Sequence, residues 1–434
     1  MTKKKVNIIS LGCSKNLVDS ERLLRMLSNA GFEVYHDAPN DKQVDIVVIN
    51  TCGFIGDAKE ESINTILQAT QMKDEGQIKQ LYVMGCLSQR YSDELPPEIP
   101  QVDAWFGKTD WINLVKLLNS KAPATASFDR IITTPSHHAY LKIAEGCNRF
   151  CSFCAIPLIT GRYKSRPIEE VEDEVRMLVG RGVKEFNVIA QDLTNYGQDI
   201  YGRHAIAELV DRISRIDGVE WIRLHYAYPA DFPMDLLDVM ASRPNVCKYL
   251  DIALQHIDDT VLSNMRRHID GEQTRNLLSE IRGRVPGIHI RTTLMVGFPG
   301  ETDEAFDRLL EFVREQKFER MGAFAYCEEE DTYGARNFED SIPEEVKNER
   351  LDKVMALQEK ISLEHQQRKV GKTYRVIIDR EEDEYYIGRT EFDSPEVDPE
   401  VLVKKSRKLQ PGQFVNVKVL EAYPYELVAE PIDD

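Results

Sequence analysis

Residues 145–157 read EGCNRFCSFCAIP, and their cysteines, Cys147, Cys151 and Cys154, follow the spacing CxxxCxxC. Three thiolates at these offsets can bind three irons of a four-iron, four-sulfur (4Fe-4S) cluster, which leaves the fourth iron without a protein ligand. Zinc knuckles instead favour CxxC pairs and four protein ligands, and no further Cys or His follows within ten residues. The stretch therefore predicts a cluster with an open iron, suited to chemistry on a bound small molecule.

The composition is that of a globular and strongly acidic chain. Its 434 residues are 42% hydrophobic, and 55 basic against 73 acidic residues give a formal net charge of −18. At ~150 residues per domain, this length predicts two or three domains. The acidity argues against an extended surface for nucleic-acid phosphates and favours a cationic protein partner. No segment approaches the roughly 20 apolar residues of a membrane span.

The eight cysteines are too sparse for a disulfide scaffold, so we expect a reducing, cytoplasmic setting. The N-terminal stretch VNIISLGC superficially resembles a lipoprotein signal, but its apolar run is too short for the core of a signal peptide. We interpret it as a buried strand that leads into a loop.

Three further cysteines each follow a predicted buried strand. Cys13 follows VNIISLG, Cys52 follows DIVVINT and Cys86 follows KQLYVMG, with helical stretches in between. This alternation indicates a parallel sheet covered on both faces. Because sites form outside the carboxyl ends of such strands, the three cysteines should converge at one edge. We interpret them as the thiolates of a second metal site; the alternative is three small buried cysteines.

The middle and the end of the chain differ in pattern. Strands are predicted at YLKIAEG, EFNVIAQD, WIRLHYA, YLDIALQH, HIRTTLMVG and MGAFAYC, with helices between them. Six such units are too few for an eight-fold barrel and predict a partial one. After a long charged helix, PEEVKNERLDKVMALQEKISLEHQQRK, interpreted as a spacer, four short strands predict a small antiparallel barrel. They are KTYRVIIDR, EYYIGRTEF, GQFVNVKVL and YELVAEP.

In this order the motifs are similar to those of the methylthiotransferase family of radical S-adenosylmethionine (SAM) enzymes. They are LGCSKNLVDSE, INTCGF, VMGCLSQRY, EGCNRFCSFCAIP, IAQDLTNYG, LQHIDDTVLSNMRR and TTLMVGFPGET. The resemblance covers essentially the whole chain, and a fixed series of motifs is more specific than any one. It implies an α/β fold in three domains. They are an N-terminal parallel-sheet domain with an auxiliary cluster (1–125), a central partial (βα)6 radical SAM barrel (133–366) and a small antiparallel TRAM barrel (367–434).

The resemblance also implies two 4Fe-4S clusters with different tasks. The cluster of the CxxxCxxC cysteines would bind SAM and cleave it to a 5′-deoxyadenosyl radical. The cluster of the three N-terminal cysteines would carry the sulfur that a first SAM methylates and that is then delivered to a substrate carbon. Abstraction of hydrogen from such a carbon lies beyond ordinary acid or base side chains, so the cofactors react while the protein positions them.

Seven further residues match positions that contact SAM in this family. They are Phe153, Arg166, Gln191, Asp192, Gln255, His256 and Gly297. Phe153 would lie near the adenine, Arg166 would reach the SAM carboxylate, and Gly297 would allow close backbone approach. Plainer interpretations exist: core packing for Phe153, a solvated helix start for Arg166, a helix cap for Asp192, a satisfied core histidine for His256 and a turn for Gly297.

The chain departs from the family pattern at FAYCEEEDTYGA. Cys327 stands where a small polar residue is more usual, and Asp331 stands where glycine is. No SAM contact is therefore assigned there, and Cys327 is interpreted as a small-residue substitute. Cys247 lies outside any metal-like spacing and is expected in the core.

The family has branches that modify adenosine in transfer RNA and one branch that modifies a ribosomal protein. Residues 370–434 carry nine basic and fifteen acidic residues, which suits RNA poorly despite the local group Lys404, Lys405, Arg407 and Lys408. The stretches LQHIDDTVLSNMRR and SPEVDPE also resemble the protein-modifying branch. That branch places a methylthio group on the β-carbon of an aspartate in ribosomal protein S-twelve of the small subunit, a very basic partner.

Three alternatives stay open from the sequence. A transfer-RNA methylthiotransferase would bind RNA with steep salt dependence; an iron–sulfur electron-transfer protein would not cleave SAM; a zinc-stabilised adaptor would retain zinc. For the main hypothesis we expect a monomer without membrane contact or stable RNA binding. We expect a flavodoxin or ferredoxin as its electron donor.

Overall fold

A computed structural model describes residues 3–39, 42–126 and 128–432; the outer limits predicted for the first and last domains, 1 and 434, lie outside these ranges. The chain divides into two units. The first contains Met1–Thr133, Glu145–Asn148 and Cys154–Tyr163, and the second contains Thr134–Ala144, Arg149–Phe153 and Lys164–Asp434. Within the described ranges, none of the helices combines the length and apolar character that crossing a bilayer requires.

The first unit is built on a parallel sheet whose central strands avoid water on both faces. β1 (Lys5–Ser10) and β4 (Gln80–Gly85) flank β3 (Ile46–Thr51), which is buried at every position. The order is β2–β1–β3–β4–β5, and the sequence pattern does not predict the outer strands β2 (Glu33–His36) and β5 (Ala104–Trp105). Strands of 4 and 2 residues are too short to show a period.

Helices cover both faces of this sheet, as predicted. The helices of this unit are α1 (Ser14–Asn29), α2 (Gly56–Asp74), α3 (Cys86–Arg90), α4 (Leu95–Glu98), α5 (Trp111–Leu118) and α6 (Ile156–Thr160). α1 and α5 pack on one face through Leu23, Leu27 and Leu114. α2 packs on the other through Ile66 and Ala69.

The second unit contains a six-stranded sheet in which every neighbouring pair is parallel. Two short strands, β7 (Ala144–Glu145) and β8 (Lys164–Ser165), lie on either side of the CxxxCxxC motif in the chain. The six strands are β6 (His138–Lys142), β9 (Glu185–Ile189), β10 (Trp221–Ala227), β11 (Val246–Ile252), β12 (His289–Val296) and β13 (Arg320–Ala325). They adjoin one another in chain order, which confirms the partial barrel.

The segments between these strands are mainly helical. They form α7 (Ile168–Val179), a 3₁₀ turn (Leu193–Asn195), α8 (Gln198–Tyr201), α9 (Ile206–Ser214), α10 (Asp235–Ser242), α11 (Asp259–Asn264), α12 (Gly271–Arg284) and α13 (Asp303–Gln316). After β13 follow α14 (Tyr333–Asn337) and α15 (Glu344–Gln367). The interpretation of α15 as a spacer is wrong. Val354, Gln358 and Ile361, spaced to share one helix face, are buried, and α15 packs along β13.

The C-terminal strands close into a small barrel in the order β14–β15–β16–β18–β17. They are β14 (Thr373–Glu381), β15 (Tyr385–Thr390), β16 (Glu400–Lys404), β17 (Phe414–Ala422) and β18 (Glu426–Pro431). The barrel is antiparallel except that β16 and β18 run parallel. β16 is not predicted from the sequence, because its five residues lie between a proline-containing loop and a basic run without a turn signal.

A buried ionic network joins this small barrel to the six-stranded sheet. Glu185, at the start of β9, accepts hydrogen bonds from Arg223 (3.1 Å) and from Arg389 of β15 (2.7 Å). Arg389 also contacts Asp379 at 2.7 Å, and Arg320 at the start of β13 binds Asp393. Although burial would raise it, the two arginines hold the pKa of Glu185 at about 2, so these charges compensate one another in the folded chain.

We expect Glu185→Gln to lower the free energy of unfolding by about 3 kcal/mol, because it leaves two buried guanidinium groups short of an anion. Urea unfolding followed by circular dichroism measures this. Arg380→Gln removes exposed ion pairs to Glu382 and Glu400 and serves as the control, with a change of about 0–1 kcal/mol.

The difference between wild type and Glu185→Gln should also depend on pH. A carboxyl whose folded pKa lies near 2, below the ~4.3 of an unfolded chain, contributes its full stability only above the unfolded value. The gap should therefore shrink as the pH falls from about 4 towards 2. A gap that stays constant would contradict the ionic role.

Candidate functional site

The three N-terminal cysteines lie at one edge of the first sheet. Cys13 precedes α1, Cys52 follows β3 directly, and Cys86 begins α3 directly after β4. The parallel register places Ser10 beside Asn50 and Thr51 beside Gly85, so the three strands end at the same level. The alternation of strands and helices therefore brings these thiols together from positions far apart in the chain.

Two glycines allow the three cysteine loops to pack against one another. A Cβ on Gly12, whose φ is +89°, would lie 2.9 Å from the sulfur of Cys52. A Cβ on Gly53 would lie 2.9 Å from the carbonyl carbon of Cys86 and 2.7 Å from the backbone nitrogen of Leu87. Any side chain at these positions would push the loops apart.

One buried amide connects the same loops by hydrogen bonds. Nδ2 of Asn16 donates to the carbonyl of Leu11 at 3.1 Å and to that of Thr51 at 2.9 Å, while its Oδ1 lies 3.6 Å from the sulfur of Cys86. Asn16 is only 1% exposed. The sequence contains this residue in the motif LGCSKN, but only the structure shows which carbonyls it satisfies.

The three thiols differ in their electrostatic setting. Burial raises the pKa of Cys52, and it raises the pKa of Cys86 to about 12. At Cys13 the opposing influence of Lys15, the backbone N–H of Asn16 and Lys108 outweighs desolvation and lowers the pKa of the thiol. Iron binds thiolates, so filling this site releases the protons that these thiols carry.

A buried lysine places a positive charge beside this site. Nζ of Lys108 lies 3.6 Å from Asp19 and 3.3 Å from Glu145, which is two residues before Cys147. Burial alone would lower the pKa of Lys108, but these two carboxylates raise it above its usual value, so the ammonium stays charged. The motifs alone do not predict this residue.

The CxxxCxxC motif contributes residues to both units. The backbone N–H of Cys147 donates to the carbonyl of Gly161 at 3.2 Å in the first unit. In the second unit Cys151 is buried, and its sulfur accepts a hydrogen bond from Nη1 of Arg267 at 3.2 Å.

Within the described residues, no three Cys, His, Asp or Glu side chains converge as they would around a single metal ion. In a 4Fe-4S cluster each thiolate binds a different iron, so its ligands lie further apart than those of one ion. The donor set of the N-terminal trio, with Lys108 beside it, fits such a cluster.

Two candidate SAM contacts keep an unused polar atom. Arg166 is held by Glu174 at 2.6 Å and by the carbonyl of Lys142 at 2.8 Å, yet its buried Nη2 has no hydrogen-bond partner. Oε1 of Gln255 is likewise buried without a partner, and this residue has a φ of +70°. Gln255 follows the carboxyl end of β11, and Arg166 contacts the carbonyl of Lys142 at the carboxyl end of β6, where ligands bind in parallel sheets. The orphaned donor and acceptor fit a zwitterionic ligand.

The remaining candidates have mostly structural contacts. Phe153 packs edge-on to Phe298 at 6.4 Å. Asp192 caps the following 3₁₀ turn by accepting from the N–H of Thr194, and it binds Arg149 at 2.6 Å. Gln191 lies at the same strand end. These observations agree with the plainer interpretations of Phe153 and Asp192, while contact of either residue, or of Gln191, with SAM stays a prediction.

His256 is fully buried. One ring nitrogen lies 3.1 Å from Glu301 and the other accepts from the N–H of Asp258. The N–H of Gly297, whose φ is +74°, also donates to Glu301. His256 thus matches a satisfied core histidine that orders the turn at Gly297. Outside the motifs, Cys247 lies in the core, as expected.

Comparison with known proteins identifies three regions. Residues 5–107 match "Uncharacterized protein family UPF0004", residues 141–313 match the radical SAM superfamily and residues 370–432 match the TRAM domain. The chain is 59% identical over 431 residues to "Ribosomal protein uS12 methylthiotransferase RimO" of Bacteroides thetaiotaomicron, covering 99% of both chains. It is 50% identical over 432 residues to the protein of the same name from Flavobacterium johnsoniae, again covering 99% of both.

Solved structures support the fold alone. The radical SAM methyltransferase TsrM from Kitasatospora setae superposes with a TM-score of 0.56 at 15% identity, covering 74% of this chain and 73% of that one. The cobalamin-dependent radical SAM enzyme OxsB superposes with a TM-score of 0.53 at 11% identity, covering 82% and 56%.

We expect Asn16→Ala to reduce the iron bound per chain by roughly half, because the N-terminal cysteine loops lose the amide that joins them. Anaerobic reconstitution followed by iron analysis measures this. Asn29→Ala is the control, since Asn29 lies on the same helix but contacts Thr125 at 3.1 Å on the surface. Full iron content in Asn16→Ala would show that the amide is dispensable.

Proposed function

The chain belongs to the RimO family of ribosomal protein uS12 methylthiotransferases, and on that premise we propose that it transfers a methylthio group to the β-carbon of an aspartate in uS12. The main support for this proposal is the pair of cysteine trios, one at a sheet edge and one in the radical SAM motif. The chain also aligns with these relatives over 99% of its length. One trio with one open iron would serve a single task, whereas this reaction needs two.

The bound cofactors supply the difficult chemistry, namely one-electron cleavage of SAM and a transferable sulfur. The role of the protein is to bind and orient these cofactors. Cys147, Cys151 and Cys154 hold the cluster that serves SAM, and the N-terminal trio holds the cluster that presents the sulfur. Lys108 places an ammonium group beside the N-terminal trio and favours the thiolate of Cys13, although Asp19 and Glu145 balance its charge.

For SAM, the proposal assigns direct contacts to two side chains. The free Nη2 of Arg166 would bind the carboxylate of SAM, and the free Oε1 of Gln255 would accept from a donor of the ligand. Phe153, Gln191 and Gly297 would line the remainder of the site. Asp192 and His256 would act through the backbone turns that they hold.

The substrate assignment is supported by charge. The net charge of −18 suits a cationic protein. Within the C-terminal barrel, Lys405 of the local basic group is paired with Glu381 at 2.7 Å, and Arg380 is paired with Glu382 and Glu400. These basic side chains are therefore neutralised by neighbours and offer little to a phosphate backbone. The proposal further includes cytoplasmic location, a monomeric enzyme and reduction by a flavodoxin or ferredoxin.

A strain that lacks this gene should lose the methylthio group from uS12 and keep the methylthio groups of its transfer RNA. Mass spectrometry of ribosomal proteins and of transfer-RNA nucleosides from the same cells measures both. Complementation with the intact gene should restore the modification. Loss from transfer-RNA adenosine instead would assign the chain to the other branch of the family.

The division of labour between the two trios has its own test. Replacing Cys13, Cys52 and Cys86 together by alanine should leave roughly half of the iron and preserve reductive cleavage of SAM, but abolish methylthio transfer. Cys327→Ala, which removes an exposed cysteine outside both trios, should retain both activities. If the triple variant keeps the radical SAM cluster but no longer cleaves SAM, the assignment of roles is wrong.

A further inference from the structure

Arg267 is a buried cation next to a cluster cysteine. Its side chain is 3% exposed, Nη1 donates to the sulfur of Cys151 at 3.2 Å, and Nη2 donates to the carbonyl of Ala253. Its guanidinium carbon lies 4.2 Å from the ring centroid of Tyr228. A buried guanidinium is costly unless its charge is compensated.

No carboxylate compensates this charge within the part of the chain that the structure describes. Carbonyl and ring contacts are neutral, and Nε of Arg267 is buried without a hydrogen-bond partner. Arg149 approaches the same tyrosine ring at the same distance, but it is paired with Asp192 at 2.6 Å. Among the contacts of Arg267, the sulfur of Cys151 is the atom that would carry negative charge once it binds a cluster.

The backbone holds this pair in a fixed geometry. The N–H of Ser152 donates to the carbonyl of Met265 at 3.0 Å, and its hydroxyl donates to the carbonyl of Asn264 at 2.5 Å. The hydroxyl of Tyr228 donates to the carbonyl of Arg267 at 2.7 Å. The segment after α11 is therefore bound directly to the segment that carries Cys151.

We propose that Arg267 raises the reduction potential of the cluster held by Cys147, Cys151 and Cys154, through its N–H···S hydrogen bond and its unpaired charge. Hydrogen bonds to cluster sulfurs and nearby charge tune the potentials of such clusters. A cation stabilises the reduced cluster, which carries one more negative charge, over the oxidised one. Arg267 is thus a positioning and tuning residue that brings the cluster within reach of a low-potential protein donor. This inference rests on the proposed presence of that cluster and not on the identity of the substrate.

The test is a potentiometric titration of the reconstituted full-length protein, followed by electron paramagnetic resonance. In Arg267→Met the midpoint potential of the radical SAM cluster should fall by an amount that lowers its reduction equilibrium constant about tenfold, or roughly 59 mV for one electron. Arg267→Lys, which keeps the charge, should lie between Met and wild type. The potential of the N-terminal cluster should not change in either variant.

Arg266→Met is the matched control. It removes the same charge from the adjacent position, but Arg266 lies over the ring of Tyr333, 4.6 Å from its centroid. Its potential should equal that of wild type. An unchanged potential in an iron-replete Arg267→Met or Arg267→Lys protein, or an equal fall in Arg266→Met, would overturn the inference.

A second measurement needs no variant and so covers the case in which the Arg267 variants lose the cluster. Pulsed electron paramagnetic resonance of the reduced wild-type protein, labelled with ¹⁵N-arginine, should detect a weakly coupled guanidinium nitrogen at the radical SAM cluster. Absence of that coupling would overturn the inference. Neither readout depends on the substrate, so failure of the uS12 assignment would be seen separately in the mass spectra.

Discussion

The proposed N-terminal site depends on one geometric constraint: three thiols from three different strand ends would have to face a single inorganic group. The parallel sheet satisfies it by ending β1, β3 and β4 at the same level, a consequence of hydrophobic strands packed between helices. Gly12 and Gly53 then remove the side chains that would separate the loops. Asn16 supplies hydrogen bonds to the carbonyls of Leu11 and Thr51. Packing of the strands and helices thus sets the approximate positions of the three cysteines, and a few polar contacts fix the loops that carry them.

The two cysteine trios share a problem of charge, because each must hold several thiolates in a poorly hydrated place. Buried cations lie near both trios, and Lys108 and Arg267 show two different arrangements. Lys108 is balanced by Asp19 and Glu145, so the N-terminal site receives a compensated charge. Arg267 has no carboxylate partner among the described residues and contacts the sulfur itself. Under the proposed function, the two clusters would therefore lie in different electrostatic environments, which suits two different redox tasks.

Periodicity and motif spacing predict the large features of this chain for a physical reason. The burial of long apolar strands and amphipathic helices produces a regular hydrophobic pattern in the sequence. The parallel sheet, the six βα units and the convergence of the N-terminal cysteines could therefore be predicted from the sequence. β2, β5 and β16 were not, since strands of two to five residues carry too little pattern. The roles of Asn16 and Arg267 depend on contacts across 35 and 116 residues, and no local signal encodes such contacts. The unpaired Nη2 of Arg166 and Oε1 of Gln255 can be recognised only from the three-dimensional contacts of these side chains.

The buried arginines between the TRAM barrel and the six-stranded sheet limit how this enzyme can change in evolution. Arg389 of the barrel pairs with Glu185 of the sheet, and Arg320 of the sheet pairs with Asp393, so buried ion pairs cross the junction in both directions. A barrel without Arg389 and Asp393 would leave Glu185 and Arg320 without these partners. New substrate preferences should therefore arise by change within the existing barrel, or by joint replacement of the residues that face each other, rather than by exchange of the barrel as an independent module.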